Sequence, residues 1–388
     1  MKNSRRNFIA AGLALPAAGL ARVTTPSRIE PAVSLAQGSG GLRYRTIGKT
    51  GMKVTSVAFG CMITSDASVV EKAADLGINY FDTARGYQGG NNERMVGSVL
   101  KSRRKNVYIS TKTGARTKEA ALADLDTSLA TLGTDYVDIW YLHGKTSADQ
   151  LTPDLLEAQQ IAKKAGKARF VGFSTHGGYD NVIPAAVKLK HFDVILTSYN
   201  FTMGSSIDKV LDEAKAAGIG IIAMKVMAGG FRRPRGGGAG QGNSVMQRQG
   251  AFISALKWVL RTPRIDAAIP SMTDSDQLEQ NLKAMASDFS ADDEKILAAQ
   301  LRYMGSMYCR GCGGCEGQCS KGLPTQDLVR FAMYADGYGQ FALGREQYLE
   351  LPAEMRSVHC SDCSGCTIRC PNGVNVASRV SRAQELFG

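Results

Sequence analysis

One stretch of this 388-residue chain decides its fold class: Ile78-Asn79-Tyr80-Phe81-Asp82-Thr83-Ala84-Arg85-Gly86-Tyr87. It begins as an apolar run short enough for a buried strand, and a loop rich in Gly and Asn follows. The carboxyl group of Asp82 and the phenol of Tyr87 are five residues apart at this transition. Because α/β barrels carry their catalytic groups at the carboxyl ends of strands, we expect a barrel with both side chains in its active site.

The alternation of a short apolar strand with a helical pattern occurs eight times in the chain. The predicted strands are Val57–Cys61, Ile78–Thr83, Val107–Lys112, Val137–His143, Ala168–Ser174, Val194–Tyr199, Ile219–Lys225 and Ala267–Ser271. An earlier hairpin pattern over residues 42–55 is expected to close the bottom of the barrel. The pattern predicts an α/β fold with a (β/α)8 TIM barrel over 42–288 and a connecting helix over 289–306.

The first residues resemble a targeting segment. Ser4-Arg5-Arg6-Asn7-Phe8-Ile9 is similar to a twin-arginine export signal, and the apolar run Ile9–Leu20 is too short to span a bilayer. We expect residues 1–36 to be a signal peptide and linker, and the protein to be periplasmic or otherwise exported. The mature chain is expected to have no transmembrane segment. A frayed basic terminus is the alternative.

Composition excludes several classes of protein. The chain is 44% apolar and 21% charged, as in ordinary globular proteins. Its net charge of +12 comes partly from the N-terminal segment, and basic residues do not form runs with interleaved aromatics. We therefore expect no nucleic-acid partner.

Lys112 and His143 also end predicted strands, at the same end of the barrel as Asp82 and Tyr87. A phenol is a weak acid at neutral pH unless a nearby ammonium stabilises its anion, and a carboxylate can hold that ammonium in place. An imidazole can orient a carbonyl group. Each residue by itself also has a purely structural explanation. Together they favour a site that interconverts a small carbonyl compound and an alcohol.

Five short motifs carry a family resemblance: Phe81-Asp82-Thr83-Ala84-x-x-Tyr87, Ser110-Thr111-Lys112, Tyr141-Leu142-His143, Ser198-Tyr199-Asn200 and Ile269-Pro270-Ser271. With the opening hairpin, they make residues 42–288 resemble the aldo-keto reductase family. The resemblance implies a catalytic tetrad of Asp82, Tyr87, Lys112 and His143, with Tyr87 as the acid/base. It also implies NADPH bound in an extended form over the barrel mouth.

The same resemblance implies the cofactor contacts. Tyr199 would stack on the nicotinamide, and Ser174 would contact its carboxamide. The other expected contacts are Lys225, Ser271, Thr273, Gln277 and Asn281. The family's usual residues are replaced at Thr175, Leu196 and Thr273, so NADP(H), NAD(H) and a site without a nicotinamide all stay open. The loop 228–243, which carries Arg232, Arg233 and Arg235, is either a flap over a pyrophosphate or a solvent loop.

Eight of the nine cysteines form two runs: Cys309-x2-Cys312-x2-Cys315-x3-Cys319 and Cys360-x2-Cys363-x2-Cys366-x3-Cys370-Pro371. This spacing is typical of bacterial ferredoxins, and two runs imply two 4Fe–4S clusters. In such proteins the fourth cysteine of each run serves the other cluster. Cys370 would therefore join the first three cysteines of the first run, and Cys319 the first three of the second. Disulfides and zinc are the alternatives. Cys61 is expected to be a buried barrel residue.

The helical pattern between the cysteine runs resembles an α-helical ferredoxin, so we expect a ferredoxin-type domain over 307–388. The sequence predicts an exported oxidoreductase of aldo-keto reductase type whose clusters relay electrons to or from a redox partner protein. The alternative is an iron–sulfur electron-transfer protein whose barrel does not use a nicotinamide cofactor.

Overall fold

The computed structural model of the protein describes residues 41–203, 205–229, 250–363 and 365–388. The predicted signal peptide at 1–36 and most of the arginine-bearing loop 228–243 lie outside these residues.

A short antiparallel hairpin precedes the barrel. Strand β1, Tyr44–Thr46, pairs with β2, Lys53–Thr55. Ile47, Met52 and Val54 are fully buried among the side chains of the barrel interior. The hairpin therefore closes one end of the barrel, as predicted from residues 42–55.

Within the described residues, eight parallel strands follow, and their order in the sheet is their order in the chain. They are β3 (Phe59–Gly60), β4 (Tyr80–Asp82), β5 (Tyr108–Thr113), β6 (Val137–Leu142), β7 (Ala168–Thr175), β8 (Val194–Ser198), β9 (Gly220–Met224) and β10 (Ala267–Ala268). Parallel bridges from Val57 to Ala268 and from Gly60 to Ser271 join the first strand to the last. The sheet is thus a closed (β/α)8 barrel. The predicted fold class is confirmed, and each predicted strand overlaps an observed one.

Gly60 shows why the closing seam needs a residue without a side chain. A Cβ atom at this position would lie 2.5 Å from the carbonyl oxygen of Ile269. A side chain at this position would push β3 away from β10.

Helices pack around the outside of the sheet. They are Ala67–Asp75, Asn91–Leu100, Lys118–Leu132, Pro153–Lys164, Tyr179–Leu189, Ser205–Ala216, Ala251–Leu260 and Ser275–Ala286. The helix Lys118–Leu132 is typical: Thr117 caps its start, and Gly133, with a φ of 65°, ends it. Leu125, Leu129 and Leu132 are buried against the barrel, as their spacing predicts.

The helix Ala291–Met304 leads out of the barrel and begins with a capping box between Ser290 and Asp293. The C-terminal module, residues 305–388, follows. Its helices are Thr325–Tyr338, Phe341–Leu349, Ala353–Arg356 and Val376–Phe387, and they enclose a separate apolar core. In the described part of the chain, none of the helices has the length and apolar character needed to cross a membrane.

Candidate active site

A buried ion pair joins the ends of β4 and β5. The ammonium of Lys112, which is 1% exposed, donates to Asp82 Oδ2 at 2.5 Å and to the carbonyl oxygen of Thr83 at 2.7 Å. Ser110, which pairs with Asp82 across the strands, donates its hydroxyl to Asp82 Oδ1 at 2.6 Å. Both carboxylate oxygens are therefore occupied, and the ammonium is fixed in one place.

Lys112 stays protonated although its side chain is buried. Burial pushes the pKa of Lys112 down, but Asp82 and then Tyr87 outweigh it, and the net shift is upward. The site therefore keeps a permanent ammonium beneath the position of Tyr87.

Tyr87 lies above this ammonium. Its ring centroid is 4.8 Å from Lys112 Nζ. A turn with positive φ at Gln88 and Gly89 holds the residue, and Gln88 Nε2 donates to the carbonyl oxygen of Thr64 at 2.9 Å. Burial raises the pKa of Tyr87, while the Lys112 ammonium opposes that rise. The phenol therefore keeps its proton at neutral pH, next to a cation that stabilises the anion once the proton leaves.

The imidazole of His143, at the end of β6, packs edge-on against Tyr87. The ring centroids are 5.9 Å apart, with an interplanar angle of 78°. Burial, then the charges of Lys112 and Lys145, lower the pKa of His143 to about 3. His143 is therefore neutral and can share a hydrogen bond with a carbonyl oxygen. The structure brings the four predicted catalytic residues together at one end of the barrel.

A cavity of about 380 Å³ opens above these residues, and we call it the catalytic cavity. Tyr87 and His143 lie at its base. Tyr334 and Tyr338, from the helix Thr325–Tyr338, cover it from the C-terminal module. Both modules therefore contribute side chains to one cavity.

Four of the predicted cofactor contacts line this cavity: Lys225, Ser271, Gln277 and Asn281. Asn281 is 3% exposed, and its Nδ2 finds no hydrogen-bond partner among the described residues. A buried amide donor without a partner costs free energy, so this end of the cavity fits a polar ligand such as a nucleotide. Thr273 lies beside the cavity residues, with its hydroxyl accepting from Gln277 Nε2 at 2.9 Å.

The first cysteine run packs against the barrel loop that follows β7. The Gly178 amide donates to the carbonyl oxygen of Gly311 at 3.0 Å. His176 lines the catalytic cavity and also a narrow space that Cys309 and Gly311 line. The catalytic cavity and the space beside the first cysteine run therefore share two lining residues, His176 and Lys225.

The structure also brings the cysteines of the two runs together. Asn372 donates from its side chain to Cys312 Sγ at 3.2 Å and from its backbone to Cys370 Sγ at 3.4 Å. Burial raises the pKa of Cys309 to about 12, and nearby Cys315, Cys312 and Cys370 add to the rise. Burial likewise raises the pKa of Cys360, with contributions from Cys366, Cys363 and Cys319. The groupings are those predicted for crossed ligation.

This donor chemistry fits iron–sulfur clusters. None of the nine cysteines, all of which the structure describes, forms a disulfide bond, and Cys61 is fully buried. The Gly311 amide lies 3.4 Å from Cys309 Sγ, in the manner of a hydrogen bond to a cluster sulfur. Among the described side chains, no group of three is close enough to hold a single metal ion. In a cluster, by contrast, each thiolate binds a different iron atom.

Comparison with known proteins agrees with this division of the chain. The model of the aldo/keto reductase family matches residues 63–301. The chain belongs to the aldo/keto reductase family. A model of the 4Fe-4S dicluster domain matches residues 308–374. This aldo/keto reductase is therefore an oxidoreductase with an iron–sulfur domain at its C-terminal end.

Curated relatives of this aldo/keto reductase include L-galactose dehydrogenase of Arabidopsis thaliana, 29% identical over 63% of this chain and 88% of that protein. L-glyceraldehyde 3-phosphate reductase of Escherichia coli K12 is 27% identical over the same shares, 63% and 88%. An uncharacterized oxidoreductase of Bacillus subtilis is 31% identical, but the match spans 56% of its length. The solved structure of an aldo-keto reductase from Bacillus halodurans, in its holo form, is similar to this chain with a TM-score of 0.57 and 24% sequence identity. The match covers 66% of this chain and 96% of that protein, and it supports the fold.

Two expected cofactor contacts of this aldo/keto reductase need correction. Tyr199 donates its hydroxyl to Asp208 at 2.8 Å, and its ring packs 5.2 Å from that of Trp258. It lies among the outer helices, so the structure does not support stacking on a nicotinamide. Ser174 is 1% exposed, and its hydroxyl accepts from the Gly144 amide at 2.9 Å, which leaves it beneath the cavity surface.

The sequence did not reveal several residues of the site. Ser110 was read only as part of a motif, although it holds Asp82 in place. Met224 lines the cavity from the end of β9, and Tyr334 lines it from the C-terminal module. Helical spacing places Tyr334 within a helix but carries no signal that this helix lies over the barrel.

Proposed function

We propose that this aldo/keto reductase interconverts a carbonyl and an alcohol in the catalytic cavity, with Tyr87 as acid/base and two 4Fe–4S clusters that exchange electrons with the cavity. One observation carries the proposal. The iron–sulfur module covers the cavity with Tyr334 and Tyr338, and its first cysteine run adjoins His176 in the cavity wall.

In the reductive direction, Tyr87 gives its phenolic proton to the substrate oxygen as the carbonyl carbon gains a hydride. NADP(H), when bound, supplies or accepts that hydride. Lys112 stabilises the phenolate that remains, and Asp82 keeps the ammonium 2.5 Å from its carboxylate. Neutral His143 orients the carbonyl group by a hydrogen bond. The proton returns to Tyr87 from solvent, or from the alcohol in the oxidative direction.

NADP(H) is the cofactor we propose. Its support is the unpartnered amide of Asn281, with Ser271 and Gln277 along the same wall.

The eight cysteines would hold the two clusters. One cluster would be bound by Cys309, Cys312, Cys315 and Cys370, and the other by Cys360, Cys363, Cys366 and Cys319. A hydride carries two electrons and each cluster one, so two clusters match one turnover.

We propose that the protein is exported, on the strength of the twin-arginine pattern at residues 4–9. Free nicotinamide cofactor would be scarce outside the cytoplasm, so the bound cofactor would have to be recycled in place through the clusters. A redox partner protein would complete the circuit. Cys312 of the first run and Cys366 of the second run are both solvent-exposed, so each run offers a surface at which such a partner would meet a cluster.

The second candidate is a barrel that exchanges electrons with the clusters and uses no nicotinamide. It is favoured by the position of Tyr199 among the outer helices. It is also favoured by Thr273, because this neutral residue, bonded to Gln277, offers no charge to a 2′-phosphate.

The role of Tyr87 can be tested by replacing it with Phe. We expect Tyr87→Phe to lower NADPH-dependent reduction of 4-nitrobenzaldehyde by about 10²- to 10⁴-fold, because the proton donor is lost. Tyr303→Phe, at a residue that is 39% exposed, is the matched control. Iron content should be unchanged in both. Equal rates in the wild type and the Tyr87→Phe variant would overturn the proposal.

A further inference from the structure

Lys225 occupies an unusual position at the end of β9. Its φ is 53°, in the left-handed region that side chains rarely adopt. Its carbonyl oxygen accepts from Asn200 Nδ2 at 3.1 Å and from the Ala228 amide at 3.0 Å. The backbone is thus fixed in a conformation that directs Lys225 into the catalytic cavity, which it lines.

The ammonium of Lys225 lies between two aromatic rings of the C-terminal module. Its Nζ is 4.4 Å from the ring centroid of Tyr334 and 4.6 Å from that of Tyr338. Cation–π contacts of this kind stabilise a desolvated ammonium. The hydroxyl of Tyr334 also accepts a hydrogen bond from this ammonium. An ammonium has three donors, so others stay available to an anion.

The charges around the cavity are not balanced. Two carboxylates line it, and both are paired: Asp82 with Lys112, and Asp336 with Arg379 at 2.8 Å and Arg382 at 3.4 Å. Among the described residues, no carboxylate lies within 4.0 Å of Lys225 Nζ. Among the described lining residues, Lys225 is therefore a basic group without a carboxylate partner, and burial lowers its pKa.

The amino group of Lys225 faces the same cavity as Tyr87 and His143. Burial, and then Lys225 and Arg330, hold the pKa of His176 well below its usual value, and His143 acts on the same imidazole. Lys225 and His143 therefore both lie near His176 in the wall of this cavity. A buried ammonium costs free energy unless an anion compensates it.

We propose that Lys225, held by Tyr334 and Tyr338, binds an oxyanion group, carboxylate or phosphate, on the carbonyl substrate. This inference rests on the proposed function and names the class of substrate: an anionic aldehyde or ketone. It replaces the cofactor contact that the family resemblance implies for Lys225. It also gives the iron–sulfur module a part in substrate selection, because both rings that hold the ammonium belong to that module.

The test compares 4-carboxybenzaldehyde with 4-methylbenzaldehyde, which have similar shapes and differ in charge. We expect Lys225→Met to raise the KM for 4-carboxybenzaldehyde by about 10- to 100-fold, because a charged hydrogen bond is lost. The KM for 4-methylbenzaldehyde should stay within about twofold. Lys225→Arg should restore most of the preference. Lys295→Met, which removes an equal charge from an exposed helix, should behave as the wild type.

Two further measurements distinguish a failure of this inference from a failure of the proposed function. If Lys225→Met weakens NADPH binding and slows both aldehydes equally, Lys225 serves the cofactor and the inference is wrong. Calorimetric titration of 4-carboxybenzaldehyde into the iron-loaded protein requires no turnover. Equal affinity in the wild type and Lys225→Met would overturn the inference even if the Tyr87→Phe result had already overturned the proposed function. A loss of affinity confined to Lys225→Met, with full iron content, would support it.

Discussion

The acidity of the Tyr87 phenol depends on residues of two neighbouring strands. Asp82 and Lys112 form a pair that is almost completely buried, and Ser110 fixes the remaining carboxylate oxygen. Burial raises the pKa of the phenol, so the proton is present at neutral pH, and the ammonium lowers the cost of releasing it. A proton donor that works near neutral pH results from these two opposing effects.

His143 allows a prediction about pH. Burial and two lysines lower its pKa to about 3 in the folded protein, whereas an unfolded histidine titrates at about 6.5. The unfolded chain therefore binds this proton first as pH falls. The contribution of neutral His143 to stability is complete above about pH 6.5 and is lost progressively toward pH 3. Nitrogen-15 NMR should show a neutral imidazole at about pH 5, well below the unfolded value.

The chain has four histidines, so the spectrum can be assigned with single variants such as His143→Gln. An inflection at about pH 6.5 in the signal that His143→Gln removes would contradict the assigned environment.

The contact between the two modules depends on Gly311. Its φ is 69°, and a Cβ atom there would lie 2.5 Å from the carbonyl oxygen of His176. We expect Gly311→Ala to loosen the C-terminal module and speed hydrogen exchange in the helix Thr325–Tyr338. Gly317→Ala is a matched control, because Gly317 has a φ of 72° and nothing within 4 Å of its Cβ position. Equal exchange in the two variants would show that the contact is unimportant.

The two cysteine runs predict crossed ligation, which pairs of substitutions can test. With crossed ligands, Cys312→Ala with Cys370→Ala removes two ligands from one cluster and leaves the other electron paramagnetic resonance signal intact. Cys312→Ala with Cys319→Ala removes one ligand from each cluster and should alter both signals. Ligation within each run would reverse these two results.

The sequence predicts the helices and strands better than it predicts which of them contact each other. Eight strands and the four proposed catalytic residues follow from local patterns, because apolar runs predict strands and barrels carry catalytic groups at strand ends. Tyr199 also ends a strand, but the motif does not say which way its side chain points, and it points toward Trp258. Tyr334 enters the site through packing between distant segments, for which the sequence has no local signal.

In the whole molecule, the two modules together line one cavity. The barrel supplies the proposed acid/base residues, and the C-terminal module supplies Tyr334, Tyr338 and the cysteines. Met304, Tyr308 and Met333 form the apolar contact between them, with Ala228 from the barrel. A buried hydrogen bond from Asn200 Nδ2 to the Tyr308 hydroxyl, at 2.8 Å, adds polar specificity. The covering module is therefore fixed to the barrel, as the proposed electron exchange between them would require.

Electron exchange between NADP(H) and the clusters is the central claim, and anaerobic mixing tests it most directly. Oxidised iron-loaded protein would be mixed with NADPH, and dithionite-reduced protein with NADP⁺, while the visible absorption of the clusters is recorded. We expect bleaching in the first mixture or recovery of absorption in the second, with one nicotinamide converted per two clusters. No change in either mixture, from protein with about eight irons per chain, would contradict it.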